Sequence, residues 1–167
     1  LMLRDELRKM WGDIPIILCA QEDYVGSKEV YLRKQPIRKF DRGPVSELAD
    51  PYNLTFLYAD LYLPENIQLM KQIVPDMKKL VYIGDGRQIN QNNAAIIEEE
   101  LRANYPHIKF QFLSSEKMTT NQLLDSLYYV DSKTTGVLFA SWYYKSTFAG
   151  NTWLATNSHK LIATANA

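Results

Sequence analysis

The chain has 167 residues, 46% of them apolar, which is enough for a buried core in one ordinary domain or two small lobes. Its 19 Lys and Arg balance its 19 Asp and Glu, so no long-range positive field collects nucleic acid or anionic lipid, and nucleic acid is not an expected partner. Cys19 is the sole cysteine, which excludes an intramolecular disulfide and a multi-cysteine metal cage.

The first residues have no signal-peptide layout, and no apolar run approaches the roughly 20 residues of a membrane span. If the parent protein is secreted or membrane-bound, those segments are expected outside this stretch. Leu3, Leu7, Met10 and Trp11 recur three or four apart, predicting an amphipathic helix that ends near Gly12. Residues 14–20 are short and nearly all apolar, as a parallel strand covered on both faces should be, with Pro15 at its start. Cys19 in that strand is expected to be a buried structural thiol, with no basic neighbour to activate it. Residues 21–53 form a charged excursion broken by Pro36, Gly43, Pro44 and Pro51, ordered at most by a short strand over residues 29–33.

Residues 54–58 predict the next strand, and Pro64 suits the first turn of the helix after it. Ile67, Met70, Ile73 and Val74 give that helix its apolar face, and Pro75 stops it. A strand over residues 79–84 follows, then a helix over 93–105 with Ile96, Ile97 and Leu101 on one side, then a strand over 108–113. Thr119 and Thr120 suit the cap of a helix over 122–130, and residues 135–140 are a further strand. Residues 152–165, carrying Trp153, Leu154, Leu161 and Ile162, predict a last helix. Strands alternating with helices imply an α/β fold with a parallel sheet and right-handed crossovers. The strands at 79–84, 108–113 and 135–140 should be adjacent and parallel.

In such sheets ligands gather outside the carboxyl ends of the strands. Those ends present Gln21, Glu22, Asp60, Asp85, Arg87, Gln88, Ser114, Ser115, Ser141, Trp142 and Tyr143. The turn at Gly84 and Gly86 has Ile89 where a dinucleotide fingerprint needs glycine, and no phosphate-loop pattern occurs, so these read first as turn glycines. Asn90, Asn92 and Asn93 suit a helix cap aimed at the cleft.

Catalytic patterns are sparse. His107 and His159 lack a partner at metal-binding spacing, no G-x-S-x-G elbow occurs, and Glu98 to Glu100 read as a solvated helix face. Glu22 and Asp23 are better placed but have no base partner. A phosphoacceptor receiver domain needs an aspartate at one strand end and a lysine at a later one, whereas Ser114 and Ser141 stand at those ends. No catalytic residue, metal or cofactor is expected.

Residues 14–23, then Asn53 to Thr55, then the run from Gln68 through Pro75 and Lys79 to Asp85 resemble, in order, elements of the type I periplasmic-binding-protein family of ABC-transporter substrate-binding proteins. The resemblance spans roughly residues 14–142 and extends to the periplasmic input region of Bacteroidetes hybrid two-component histidine kinases. Phe56 stands where the family has a glycine, and Gly84 to Gly86 replace its "Y-N-P", so the family's ligand does not carry over. The resemblance implies a three-layer α/β architecture with Rossmann-like or flavodoxin-like lobes, of which this chain covers a part. Residues 1–62 would be the later part of a first lobe and 63–167 the earlier part of a second. It further implies a non-catalytic periplasmic domain that binds a small molecule and signals to a membrane-linked kinase or permease, with room for a homodimer. The ligand would be held by Gln21, Glu22, Asp85, Arg87, Gln88, Ser114 and Ser141, with Trp142 and Tyr143 as a stacking surface or as core or interface packing. A solute-binding protein of a transporter and a small cytosolic α/β enzyme are the alternative readings.

Overall fold

The computed structural model describes residues 9–10, 12, 15–20, 22–46, 53–145 and 152–154. The chain divides into two compact units, Leu1–Tyr62 and Leu63–Ala167. Both contain parallel strand pairing, so the class is α/β.

In the first unit β1 (Ile16–Ala20) pairs in parallel with β4 (Leu54–Tyr58), from Ile16 opposite Leu54 to Ala20 opposite Tyr58. Successive strand residues face opposite sides. Ile16, Leu18 and Ala20 are half-buried, whereas Ile17 and Cys19 are exposed. Among the described residues the expected cover on both faces is not found, and Cys19 is an exposed thiol rather than a buried one. Of the predicted helix over residues 3–11, Lys9 and Met10 are helical and Gly12 has φ 59°; the rest lies outside the described residues.

Within the excursion Val30, Ile37 and Val45 are buried. Tyr24–Val25 (β2) pairs antiparallel with Gly43–Pro44 (β3). The strand expected near residues 29–33 is instead α1 (Lys28–Leu32), and its end groups explain why. The Ser27 side chain accepts from Val30 N at 3.4 Å, capping the first turn. At the other end Lys34 takes φ 53°, with Lys34 N donating to Tyr31 O and Gln35 N to Val30 O, the paired bonds of a Schellman stop. Glycine usually occupies that left-handed position. A lysine there hides the stop signal.

The second unit is built on β5 (Lys79–Gly84), flanked in parallel by β6 (Lys109–Ser114) and β7 (Thr135–Phe139) in the order β6-β5-β7. These three strands are adjacent and parallel, as their patterning predicts. Side chains of β5 alternate between two cores. Leu80 and Tyr82 pack with Ile67 of α2 (Leu63–Ile73) and with Ala94, Ile97 and Leu101 of α3 (Gln88–Asn104). Val81 and Ile83 pack on the other face with Leu123 and Leu127 of α4 (Thr120–Tyr128), Leu113 and Trp142. Helices thus cover both faces of this sheet. Pro64 lies in the first turn of α2, and Thr119 caps α4 through a reciprocal capping box with Gln122.

Helix α4 runs two residues earlier than the expected 122–130, and two elements of the second unit depart further from expectation. Helix α3 starts at Gln88 rather than 93, because Asn90, Asn92 and Asn93 are buried inside it instead of capping it. The side chains of Asn90 and Asn93 bond to the Tyr82 hydroxyl in the interior and that of Asn92 to Gln88, which removes their usual competition with the helix backbone. Thr152–Leu154 is a strand (β9), paired antiparallel with Tyr143–Lys145 (β8), where a helix is predicted. Trp153 stands opposite Tyr144 and Leu154 opposite Tyr143, and aromatic residues suit paired strands better than a helix. The remainder of that predicted helix lies outside the described residues.

Candidate functional site

The strand order locates a crevice before any side chain is considered. From β5 the chain passes through α3 on one face to β6, then through α4 on the other face to β7 on the far side of β5. Connections that leave a strand in opposite directions separate the loops at the carboxyl ends of β5 and β7, the switch point where open α/β sheets bind ligands. Asp85 follows β5 directly. Ser141 follows β7, after a final ladder bond from Ala140 N to Ile83 O.

The residues at that point form one hydrogen-bonded cluster around the buried Asp85 carboxylate. Oδ1 accepts from Arg87 N at 2.9 Å, Arg87 Nε at 2.9 Å and Asn90 Nδ2 at 2.8 Å. Oδ2 accepts from the Ser141 hydroxyl at 2.9 Å and from Arg87 Nε at 3.1 Å. Ser141 Oγ in turn accepts from Arg87 Nη2 at 3.0 Å and Asn90 Nδ2 at 2.9 Å. The cluster runs on into the core, where Tyr82 donates its hydroxyl to Asn90 Oδ1 at 2.9 Å and accepts from Asn93 Nδ2 at 3.3 Å. Asn93 Oδ1 is buried without a hydrogen-bond partner.

Outward, the guanidinium of Arg87 lies over the Tyr143 ring, 4.0 Å from its centroid, within cation–π range. Its side chain is 51% exposed while that of Asp85 is 2% exposed, so the pair spans from interior to solvent. Tyr143 is anchored through its carbonyl, which accepts from the Ser115 hydroxyl.

The electrostatics follow from this geometry. Burial pushes the Asp85 carboxyl up, but the hydrogen bonds from Arg87, Asn90 and Ser141 outweigh it and hold the group below its usual value. Arg87 is kept still more firmly protonated, chiefly by its bond to Asp85 and further by Tyr143. Burial raises the Tyr82 phenol, which stays neutral. An ionised carboxylate whose acceptor sites are filled by its own chain is a weak proton acceptor. What the arrangement does is fix the orientation of Arg87.

The sequence-derived candidates separate clearly. Asp85, Arg87, Ser141 and Tyr143 come together, and Gln88 opens α3 beside them, its Nε2 donating to Asn92 Oδ1 at 3.2 Å. Ser114 is buried at the end of β6, where its Oγ accepts from Glu116 N at 3.3 Å and shapes the turn. Trp142 is only 2% exposed, packs in the core against α4 and donates Nε1 to Thr120 Oγ1 at 3.1 Å, so the stacking face belongs to Tyr143 alone. Glu22 belongs to the first unit, and Gln21 lies outside the described residues.

Asn90, the hub of the cluster, is not among the sequence-derived ligand residues. Its signal is position: Asn90 and Asn93 fall on the helix face defined by Ala94, Ile97 and Leu101, where a polar side chain must have an internal partner. Among the described residues no group of His, Cys, Asp and Glu could hold a metal ion, and no helix is long and apolar enough to cross a membrane. No family model, curated protein or solved structure matches this chain.

Proposed function

We propose that the chain is the periplasmic ligand-sensing part of a membrane-bound hybrid sensor histidine kinase, built from portions of two type I periplasmic-binding-protein-like lobes. A small molecule docks at the β5/β7 switch point of the second unit. The observation that carries this reading is the Arg87 guanidinium, locked by Asp85 and Ser141 and laid on Tyr143 at the place where open α/β sheets hold ligands. A half-exposed cation whose orientation is fixed from beneath suits recognition, since ordering it on binding takes little further entropy. Signalling to the kinase requires that the ligand favour one arrangement of the receptor over another.

The test is a thermal-shift screen of the protein with amino acids, neutral sugars, short peptides and organic acids. A ligand at about 100 times its dissociation constant adds roughly 2.7 kcal/mol of stability, a readily measured rise in Tm. The stabilising compound is then added to membranes carrying the full gene product, and autophosphorylation is expected to change. A panel in which nothing raises Tm would overturn the binding reading. A stabilising compound without effect on phosphorylation would overturn the kinase assignment.

A further inference from the structure

We infer that the ligand group received at the β5/β7 switch point is a carboxylate, docked on the outer edge of the Arg87 guanidinium. This rests on the reading of the cluster as a ligand site and names the chemistry that it selects.

The inner side of the guanidinium is engaged within the protein, Nε by Asp85 and Nη2 by Ser141, while half of the side chain remains open to solvent. A guanidinium is a forked donor without acceptor capacity. The group that meets it must therefore accept hydrogen bonds. A neutral hydroxyl or amide would also bring a donor, and the nearest carboxylate is already filled by Arg87, Asn90 and Ser141. A carboxylate is acceptor-only and matches the fork with two parallel bonds. The Tyr143 ring adds a flat surface beside it, 4.0 Å from the guanidinium carbon.

Charge separates carboxylate from phosphate. The exposed Glu116 side chain lies against Gly86, the residue before Arg87: a Cβ built on Gly86 would fall 2.4 Å from Glu116 Oε1. Since Asp85 already balances Arg87, a second carboxylate nearby disfavours a dianion more than a monoanion.

The experiment uses the whole chain with acetate, benzoate and succinate, inorganic phosphate, glucose, and sodium chloride at matched ionic strength. Thermal shift is read alongside the Arg87 Nε–Hε resonance in nitrogen-15 NMR spectra. The expected result is that at least one carboxylate raises Tm beyond chloride and moves the Arg87 resonance. The double variant Asp85→Asn with Arg87→Gln, which removes both charges together, should weaken that response by about tenfold or more. If it does not fold, Tyr143→Leu serves, since it removes the ring and leaves the Asp85 bonds in place. Stabilisation by glucose with carboxylates behaving as chloride would overturn the carboxylate and leave the binding reading standing. Phosphate outperforming every carboxylate would overturn it as well, as would a carboxylate shift that leaves the Arg87 resonance unmoved. No response to any of the probes would overturn the carboxylate together with Arg87 as the docking point.

Discussion

Ser141 and Asp85 stand 56 residues apart in the chain, and the Ser141 hydroxyl donates to Asp85 Oδ2 at 2.9 Å. That bond ties the loop after β7 to the loop after β5 across the crevice between them. Because Ser141 Oγ also receives Arg87 Nη2 and Asn90 Nδ2, its removal leaves polar atoms short of partners on three side chains. Ser141→Ala is therefore expected to cost about 1–3 kcal/mol, the range for leaving buried polar groups unsatisfied. Urea denaturation should show a lower midpoint at unchanged slope. An unshifted midpoint would mean that water replaces the hydroxyl without loss.

Adjacent aromatic residues should respond very differently. Trp142 is buried among Val81, Ile83, Leu123 and Leu127, so Trp142→Ala should destabilise the protein by about 3–5 kcal/mol, as large-to-small core changes do. Tyr143→Ala leaves that core intact and removes the ring beneath Arg87. It should shift stability by about 1 kcal/mol or less, as expected for one partly solvated cation–π contact. Denaturation curves for both variants check this, and equal losses would contradict the division of roles.

The three strands of the second unit, the Pro64 start and the Thr119 cap were legible because each has a local cause: apolar runs of strand length, a residue without an N–H, a hydroxyl before a helix. The site was legible only in part. Asp85, Arg87, Ser141 and Tyr143 follow from the rule that ligands gather at strand ends, but Asn90 is recruited by tertiary partners that no sequence window contains. Trp142 sits at a strand end too, and whether it faces ligand or core depends on α4, which is distant in sequence. Lys34 shows the converse: a left-handed stop without glycine is invisible to pattern and obvious from two backbone bonds.

Cys19 supplies a direct chemical check on the first unit. It lies on the exposed side of β1, with Ile17 on the same side. A disulfide-forming thiol reagent is expected to label the native protein stoichiometrically, at a rate close to that of the denatured chain. Strong protection under native conditions would show that something covers this face of the sheet in solution.

The Asp85 carboxyl sets an acid dependence with a definite sign. Its folded-state value lies below its unfolded one, so its contribution to stability is present above the unfolded value and is lost as pH falls through the folded one. Stability should therefore decline from about pH 4 downward, the ordinary aspartate range. Asp85→Asn lowers stability at neutral pH but should flatten that decline. Parallel slopes for the two proteins in denaturation midpoint against pH would assign the acid dependence to other groups.

Two glycines of the second unit test whether close packing or backbone freedom fixes the sequence at their positions. At Gly136 in β7 an added Cβ would fall 1.9 Å from Met70 Sδ and 2.7 Å from Met77 Sδ. Met77 is buried, Met70 packs against the same core, and β7 is held in register with β5, so neither side can move freely. Gly136→Ala should thus cost about 1–3 kcal/mol, the range for forcing extra volume into a packed core, even though methionine is the most adaptable of core side chains. At Gly86 the built Cβ comes closer to Glu116 than any real contact allows, at 2.1 Å from Cδ, yet the opposing atoms are the end of an exposed side chain that can swing into water. Gly86→Ala should change stability by no more than about 0.5 kcal/mol, as surface substitutions usually do. Chemical denaturation of both variants decides the matter: a large loss at Gly86 would mean that Glu116 is held in place against Gly86, and a negligible loss at Gly136 would mean that Met70 repacks without strain.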